Sequence, residues 1–234
     1  MMPGLSSIWR RGFVEFLAIF AGVTLSFIAE DWRQALQDHK DEERVLTGVA
    51  SDLDEDLSFI RGKIQTDSLG LVGELWLQAN WDRSNPPTDS VHAALEDFFH
   101  GATYSPMRSE YESAKSAGRL QLIQDDDLRS AIITYYERGQ PQQQVVNRMQ
   151  LDLHFEVWRQ LRPYLQFGRD FAESAGTTPK IGLFRPWPDV RADQVLRNSL
   201  VEAMSMRRIN LGQMRGHASA TEQLRDEITE RLAR

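Results

Sequence analysis

The sequence predicts an all-α protein in which a single N-terminal transmembrane helix continues into a long stalk helix and an antiparallel helical bundle. The first observation is an apolar run from Phe13 to Ala29 whose only ionisable residue is Glu15. The second is the helical spacing of apolar residues beyond it, with no proline before Pro86. The predicted organisation is a tail at 1–12, the transmembrane helix at 13–30 and the bundle domain at 31–234, which includes an irregular loop at 164–193.

The apolar run has flanks typical of a membrane anchor. Trp9 and Trp32 lie about one bilayer thickness apart along a helix, and Arg10 and Arg11 precede the run, so we predict that these four side chains lie at the membrane interface. Phe27 stands where signal-peptide cleavage needs a small residue, which favours an uncleaved anchor. A buried core helix in a soluble protein and a twin-arginine export signal are the alternatives.

Small residues recur every four positions within the run, at Ala18, Gly22 and Ser26, and such a stripe lets two membrane helices approach closely. Glu15 lies near this stripe, and a carboxylate at membrane depth usually faces a partner helix or water. We therefore predict packing of the first helix against a second copy, as a homo-oligomer in a lipid bilayer. The alternative for Glu15 is that it lies at the level of the lipid head groups and its side chain extends towards water. An alternative is a small channel in which Glu15, Thr24 or Ser26 faces a pore.

The rest of the chain carries successive helix signals. The stalk has apolar residues at intervals of three and four from Leu46 to Ile64 and extends to about Trp81. Gly118 and Asp125–Asp127 have the residue types that close and open helices, respectively. Further helices are predicted at about 89–100, 109–117, 127–139, 142–161 and 192–234, with an extended connector at 119–124.

Two residue patterns resemble metal sites. His92, Glu96 and His100 share one helix face and are weak candidate metal ligands, although a polar surface face accounts for them better. "DLDEDLSFIRGK", which starts at Asp52, begins like a calcium loop, but Leu57 and Lys63 replace the glycine and the final glutamate of that motif. We interpret this stretch as a charged helix face.

Composition excludes several classes of function. The chain has no cysteine, which excludes thiolate metal sites and cysteine nucleophiles. Its net charge of −7 argues against a nucleic-acid partner, because phosphate binding needs a basic face. No serine, histidine and aspartate fall into a nucleophile motif. The sequence predicts no catalytic residue and no cofactor.

The segment 111–137 also carries a resemblance. It contains Tyr-Glu-Ser, Lys-Ser-x-Gly-Arg-Leu, Leu-Ile, Asp-Leu-Arg and Tyr-Tyr in succession, and the apolar run ends in Glu30-Asp31-Trp32. This combination resembles a family of uncharacterised bacterial membrane-anchored helical proteins. The resemblance covers about 13–60 and 111–137, and it implies a bacterial source and a membrane topology but no catalytic residues. Members often have asparagine and tryptophan where this chain has Asp31 and Trp32.

These observations favour a function in interaction over one in catalysis. We expect an inner-membrane, single-pass scaffold, sensor or accessory subunit whose C-terminal domain is periplasmic, because Arg10 and Arg11 favour a cytoplasmic N-terminus. Phe184 and Trp187, in the irregular loop, are the predicted contact surface for a membrane-protein partner. A metal-dependent enzyme built on His92 and Glu96 is the remaining alternative.

Overall fold

The structure is a computed structural model that describes residues 5–101, 103–167, 181–183 and 185–233. Within these ranges, the side chains of 5–15, 18, 166–167 and 181–182 are not described. The described chain is all-helical apart from one short hairpin, which confirms the predicted class. Its helices are α1 (Leu5–Asn80), α2 (Thr88–Phe98), α3 (Ser109–Ser116), α4 (Asp126–Thr134), α5 (Gln140–Leu161), α6 (Trp187–Arg191) and α7 (Gln194–Leu232).

Three long helices build the bundle. The C-terminal part of α1 packs along α7, and α7 packs along α5. Leu53 near the middle of α1 shares a cluster with Ile228 near the end of α7, whereas Leu77 shares one with Leu196 near its start, so α1 and α7 are antiparallel. α1 also packs against α2, which returns beside its C-terminal end.

The N-terminal part of α1 extends beyond the bundle. α1 has 76 residues, a length of about 114 Å at 1.5 Å per residue, and its first buried side chain among those described is Glu42. Large apolar side chains before that point are exposed: Phe16, Leu17, Ile19, Phe20, Val23, Leu25, Phe27, Ile28, Trp32 and Leu36. Among the described residues, no helix contains a stretch both long and apolar enough to cross a membrane.

Most of the shorter elements match the predicted positions, although α6 lies within the stretch predicted as an irregular loop. Gly118 follows α3 with a φ of 69°, the left-handed conformation that ends a helix, and Asp125 caps α4 by accepting from the Leu128 amide at 3.0 Å. The predicted extended connector is wrong, because Arg119–Leu122 forms a turn of 3₁₀ helix. The irregular loop contains antiparallel strands β1 (Leu165–Phe167) and β2 (Ile181–Leu183), which the sequence did not predict.

A π-helical turn, Tyr135–Gly139, joins α4 to α5. Pro141 follows one residue later and has no amide hydrogen for the regular α ladder, so a wider turn is tolerated there. The first two residues of the turn, Tyr135 and Tyr136, are both buried in the bundle.

The bundle has an apolar core at each end and a polar middle. One core joins the end of α1 to α2, α6 and the start of α7, and the other joins the region from Val45 to Leu53 of α1 to α3, α4 and the end of α7. Between them, Ile60, Tyr104 and Met214 form only a small apolar cluster. The space around this cluster is occupied by buried polar and charged side chains.

Candidate functional site

The face of α1 that enters the bundle carries five buried acidic side chains: Glu42, Asp52, Asp56, Asp67 and Glu74. The stretch from Asp52, interpreted as a charged helix face, is helical, and it directs Asp52 and Asp56 into the bundle. Asp54 is exposed and lies 3.2 Å from Arg225. Burying a carboxylate is costly unless donors or cations surround it, so the partners of these acids define the polar interior.

Two of the acids hold the ends of other elements. Asp52 accepts hydrogen bonds from the Ser109 hydroxyl at 2.9 Å and the Glu110 amide at 2.8 Å, at the start of α3. It thus supplies from another helix the acceptor that an N-cap side chain normally provides. Glu42 accepts from the Gln124 amide at 3.0 Å, just before α4.

Asp56 is the centre of the first polar cluster and is fully buried. Its Oδ2 accepts from Tyr135 Oη at 2.6 Å, Tyr104 Oη at 3.0 Å and Gln140 Nε2 at 3.0 Å. Tyr104 Oη also lies 2.8 Å from His217 Nε2, and the His217 ring stacks on Tyr135. Because the Tyr104 proton is donated to Asp56, the bond to His217 requires that Nε2 carries the hydrogen.

Burial decides the protonation of this cluster. It raises the pKa of Tyr104 and Tyr135 well above the usual range, and the negative charge of Asp56 raises both further. Burial also lowers the pKa of His217, and Asp56 opposes that change. The two phenols therefore remain hydrogen-bond donors, and His217 is neutral at neutral pH.

Arg207 is the centre of the second polar cluster and is also fully buried. Its Nε donates to Glu74 Oε1 at 2.8 Å, and its two terminal nitrogens donate to the carbonyl oxygens of His100 at 2.6 Å and Phe98 at 2.7 Å. Lys63 and Asp67 form a buried ion pair at 2.8 Å on the adjacent turns of α1. One guanidinium thus joins α1, α7 and the end of α2.

His154 lies at the edge of this cluster. Its Nδ1 lies 2.7 Å from the Gln150 carbonyl oxygen, and its Nε2 lies close to Arg207 Nη2 and 3.0 Å from Glu74 Oε1. A guanidinium only donates, so the tautomer with hydrogen on Nδ1 fits the Gln150 and Arg207 contacts, and in that tautomer Nε2 does not donate to Glu74 Oε1, which accepts from Arg207 Nε. Side-chain amides continue the polar interior, since Gln143 donates to Asn210 at 2.7 Å and Asn210 donates to Gln150.

Two glycines of α1 make room for this cluster. A Cβ at Gly70 would lie 1.7 Å from Arg207 Nη1 and 2.7 Å from the His100 carbonyl oxygen. A Cβ at Gly73 would lie 2.4 Å from the Ala94 carbonyl oxygen of α2. Both positions therefore need glycine for a close approach of neighbouring groups, and α1 continues through them without a break.

Two of the three weak metal candidates, His92 and His100, have different partners, and the third, Glu96, is half-buried on α2. His92 Nε2 accepts from the Leu183 amide at 3.1 Å and so supports strand β2. His100 Nδ1 lies 3.7 Å from Asp97, while the His100 carbonyl oxygen binds Arg207. Among the described residues, no group of three or more histidine, aspartate or glutamate side chains is placed to hold a metal ion.

The predicted partner surface is only partly within the described chain. Trp187 is buried, its ring packs edge-on against Trp81 at 5.2 Å, and its Nε1 donates to the Arg83 carbonyl oxygen. The expectation of an exposed aromatic at Trp187 is wrong, because this ring fills the core at the end of α1. Phe184 lies outside the described residues.

The residues predicted to contact the membrane or a second copy lie on α1. The side chains of Trp9, Arg10, Arg11, Glu15 and Ala18 are outside the described set. Trp32 is exposed, and an added Cβ at Gly22 would meet no atom within 4 Å. The hydroxyls of Thr24 and Ser26 donate to the carbonyl oxygens of Phe20 at 2.8 Å and Gly22 at 2.9 Å.

Comparison of the chain with protein-family models, with curated proteins and with solved structures gives no match. The resemblance stated above therefore stays a prediction. The polar interior was not predicted from the sequence, because Arg207 and His217 belong to no motif and Asp56 was interpreted only as part of a charged helix face. A signal for it exists in the helical spacing, since these residues occupy positions where the pattern calls for apolar side chains.

Proposed function

We propose that this protein is a membrane-anchored, self-associating helical scaffold or sensor module that acts without catalysis. The observation that carries the proposal is the continuity of α1, which joins an exposed apolar segment to the core of the bundle in one uninterrupted helix. The proposed anchor is 13–30, whose first residues have side chains outside the described set.

The side chains of the exposed part of α1 favour an apolar environment around this segment. Its large apolar side chains from Phe16 to Ile28 lie on all sides of the helix, whereas a helix on the surface of a globular protein has one apolar stripe. Thr24 and Ser26 satisfy their hydroxyls within the helix, which is how such residues are accommodated in hydrocarbon. The first described ion pair, between Glu30 and Arg33, lies after this segment.

Open space beside Gly22 supports self-association. A helix surface without side-chain bulk lets another backbone approach, and packing of small residues is a common means of pairing helices in lipid. Assembly of the anchor would bring two bundles together, at a distance from the bilayer that is set by the length of α1. The scaffold or sensor role follows from this rigid connection, since a displacement of the anchor moves the bundle with it.

Flotation of the full-length protein with vesicles of phosphatidylcholine and phosphatidylglycerol tests the anchor. We expect the protein to float with the vesicles and the double variant Val23→Lys/Phe27→Lys to stay in the dense fraction. The matched control is Val145→Lys/Met149→Lys, which places two lysines with the same spacing at exposed positions of the bundle. Failure of the unmodified protein to float, or equal flotation of the Val23→Lys/Phe27→Lys variant, would overturn the anchor.

Light scattering in mild detergent tests self-association. We expect a defined oligomer for the full-length protein and a monomer for Gly22→Leu, with Gly212→Leu as the control at another open position. A monomeric full-length protein would exclude both the scaffold as proposed and the channel alternative. If the oligomer forms, bilayer conductance sensitive to Glu15→Gln separates the channel from the scaffold.

A further inference from the structure

A pocket lies between the C-terminal end of α1 and the N-terminal end of α7, away from the proposed anchor. Its volume is about 80 Å³, and its lining is mostly apolar, with Leu77, Trp81, Leu200, Val201 and Met204 as the apolar part and Glu74, Gln78 and Arg197 as the polar part. Val201 is exposed and Glu74 is buried, so the pocket runs from a solvent-facing rim towards the carboxylate.

Glu74, which lines the pocket, has one carboxylate oxygen that accepts no hydrogen bond among the described residues. Its Oε1 receives the Arg207 Nε hydrogen, whereas its Oε2 is buried and has no hydrogen-bond partner among the described residues. Buried carboxylate oxygens almost always have a donor. Two of the other polar groups of the pocket are already engaged, since Trp81 Nε1 bonds to the Arg191 carbonyl oxygen and Arg197 pairs with Asp82 at 2.9 Å. The third, Gln78, is exposed at the rim.

We propose that this pocket binds a small primary amine, with its ammonium group donating to Glu74 Oε2 and a short alkyl chain against Leu77, Trp81 and Met204. The volume of the pocket limits the size of the ligand, since a cavity of about 150 Å³ accommodates benzene and this pocket is about half as large. The negative charge of Glu74 favours an ammonium head group, because hydrogen bonds between ammonium and carboxylate groups are about twice as strong as those between neutral groups.

Titration of full-length protein labelled with ¹³C in its methionine methyl groups tests the proposal. We expect ethylammonium to shift the Met204 signal saturably and to bind about tenfold more tightly than ethanol. Glu74→Gln should remove this preference for the amine. Val201→Trp should block both ligands by filling the rim, and Val195→Trp is the control, because Val195 is exposed on the same helix and does not line the pocket.

Three results would overturn the proposal: no saturable shift of Met204, equal affinity for the amine and the alcohol in the unmodified protein, or binding that Val201→Trp leaves unchanged. Val201→Trp keeps the test decisive if Glu74→Gln fails to fold, since Val201 is on the surface. The same titration with N-acetyl-lysine amide, which represents a lysine side chain of another protein, distinguishes such a side chain from a free amine as the occupant. Tighter binding of that probe than of ethylammonium is a fourth result that would overturn the proposal, because it excludes the free amine as the occupant.

Discussion

At the scale of single residues, the interior depends on donors that surround buried carboxylates. Tyr135→Phe removes the shortest hydrogen bond to Asp56, and we expect it to lower the free energy of unfolding by about 1–3 kcal/mol, the usual cost of a buried group that loses its partner. The control is Tyr111→Phe, whose hydroxyl bonds to the exposed Glu137 and should matter less. Urea unfolding measures both, and equal losses would contradict the buried role of Tyr135.

By the same reasoning, substitution of Arg207 should lower the free energy of unfolding by more than substitution of Tyr135. Arg207→Met leaves Glu74 and Asp67 buried without their guanidinium and two backbone carbonyls without a donor, so we expect a loss of about 3–5 kcal/mol. Arg208→Met, one position along the same helix and exposed, should change stability by less than about 0.5 kcal/mol. Comparison of the two by urea unfolding checks the prediction.

His217 makes stability depend on pH. Burial lowers its pKa in the folded protein relative to the unfolded chain, so the unfolded chain binds its proton more readily. The contribution to stability is therefore fully present above the unfolded pKa of about 6.5 and is lost as the pH falls below it. Asp56, Tyr104 and Tyr135 face the imidazole, and the lowered pKa already includes the opposing effect of Asp56.

We expect the free energy of unfolding of the unmodified protein to fall more than that of His217→Gln between pH 7.5 and pH 5.5, because only the unmodified unfolded chain takes up this proton. Urea unfolding at the two pH values gives this difference directly. Equal pH dependence of the two proteins would show that His217 does not titrate differently on folding.

At the scale of elements, α1 contains one glycine that has no room for a side chain and another that does. Gly73→Ala should destabilise the protein by about 1–3 kcal/mol, because the new methyl group overlaps the Ala94 carbonyl oxygen of α2. Gly62→Ala, on the same helix, meets no atom within 4 Å and should stabilise it by about 0.5–1 kcal/mol through helix propensity. Thermal unfolding of the pair tests this contrast, and a change of the same sign in both would contradict the predicted overlap at Gly73.

At the scale of the whole molecule, the N-terminal part of α1 contributes little to the stability of the bundle. A chain that starts at Glu30 should have nearly the same melting temperature as the full-length protein, because the described residues removed are exposed. A chain that starts at Ser51 loses the buried residues Val45, Leu46 and Val49, each of which contributes about 1.5–3 kcal/mol, and should not fold stably. Calorimetry of the two chains distinguishes these outcomes.

The positions of the helices could be predicted from the sequence because local signals determine them. The apolar spacing predicted α1 up to its end near Trp81. Gly118 marked the end of α3 through its backbone preference, and Asp125 marked the start of α4 through its capping preference. The hairpin of β1 and β2 and the 3₁₀ turn escaped prediction, since short segments carry too little periodicity to distinguish one conformation from another.

The polar interior required the tertiary structure. On α1 the positions 56, 60, 63, 67, 70, 74 and 77 follow one another at intervals of three and four, and the polar residues among them share the buried face with Ile60 and Leu77. The sequence by itself determined that these residues form one helix with one inner face. Only the tertiary structure decided that Asp56 meets Tyr104 and Tyr135 and that Glu74 meets Arg207, because a buried charge is stable only where residues distant in the chain supply its partner.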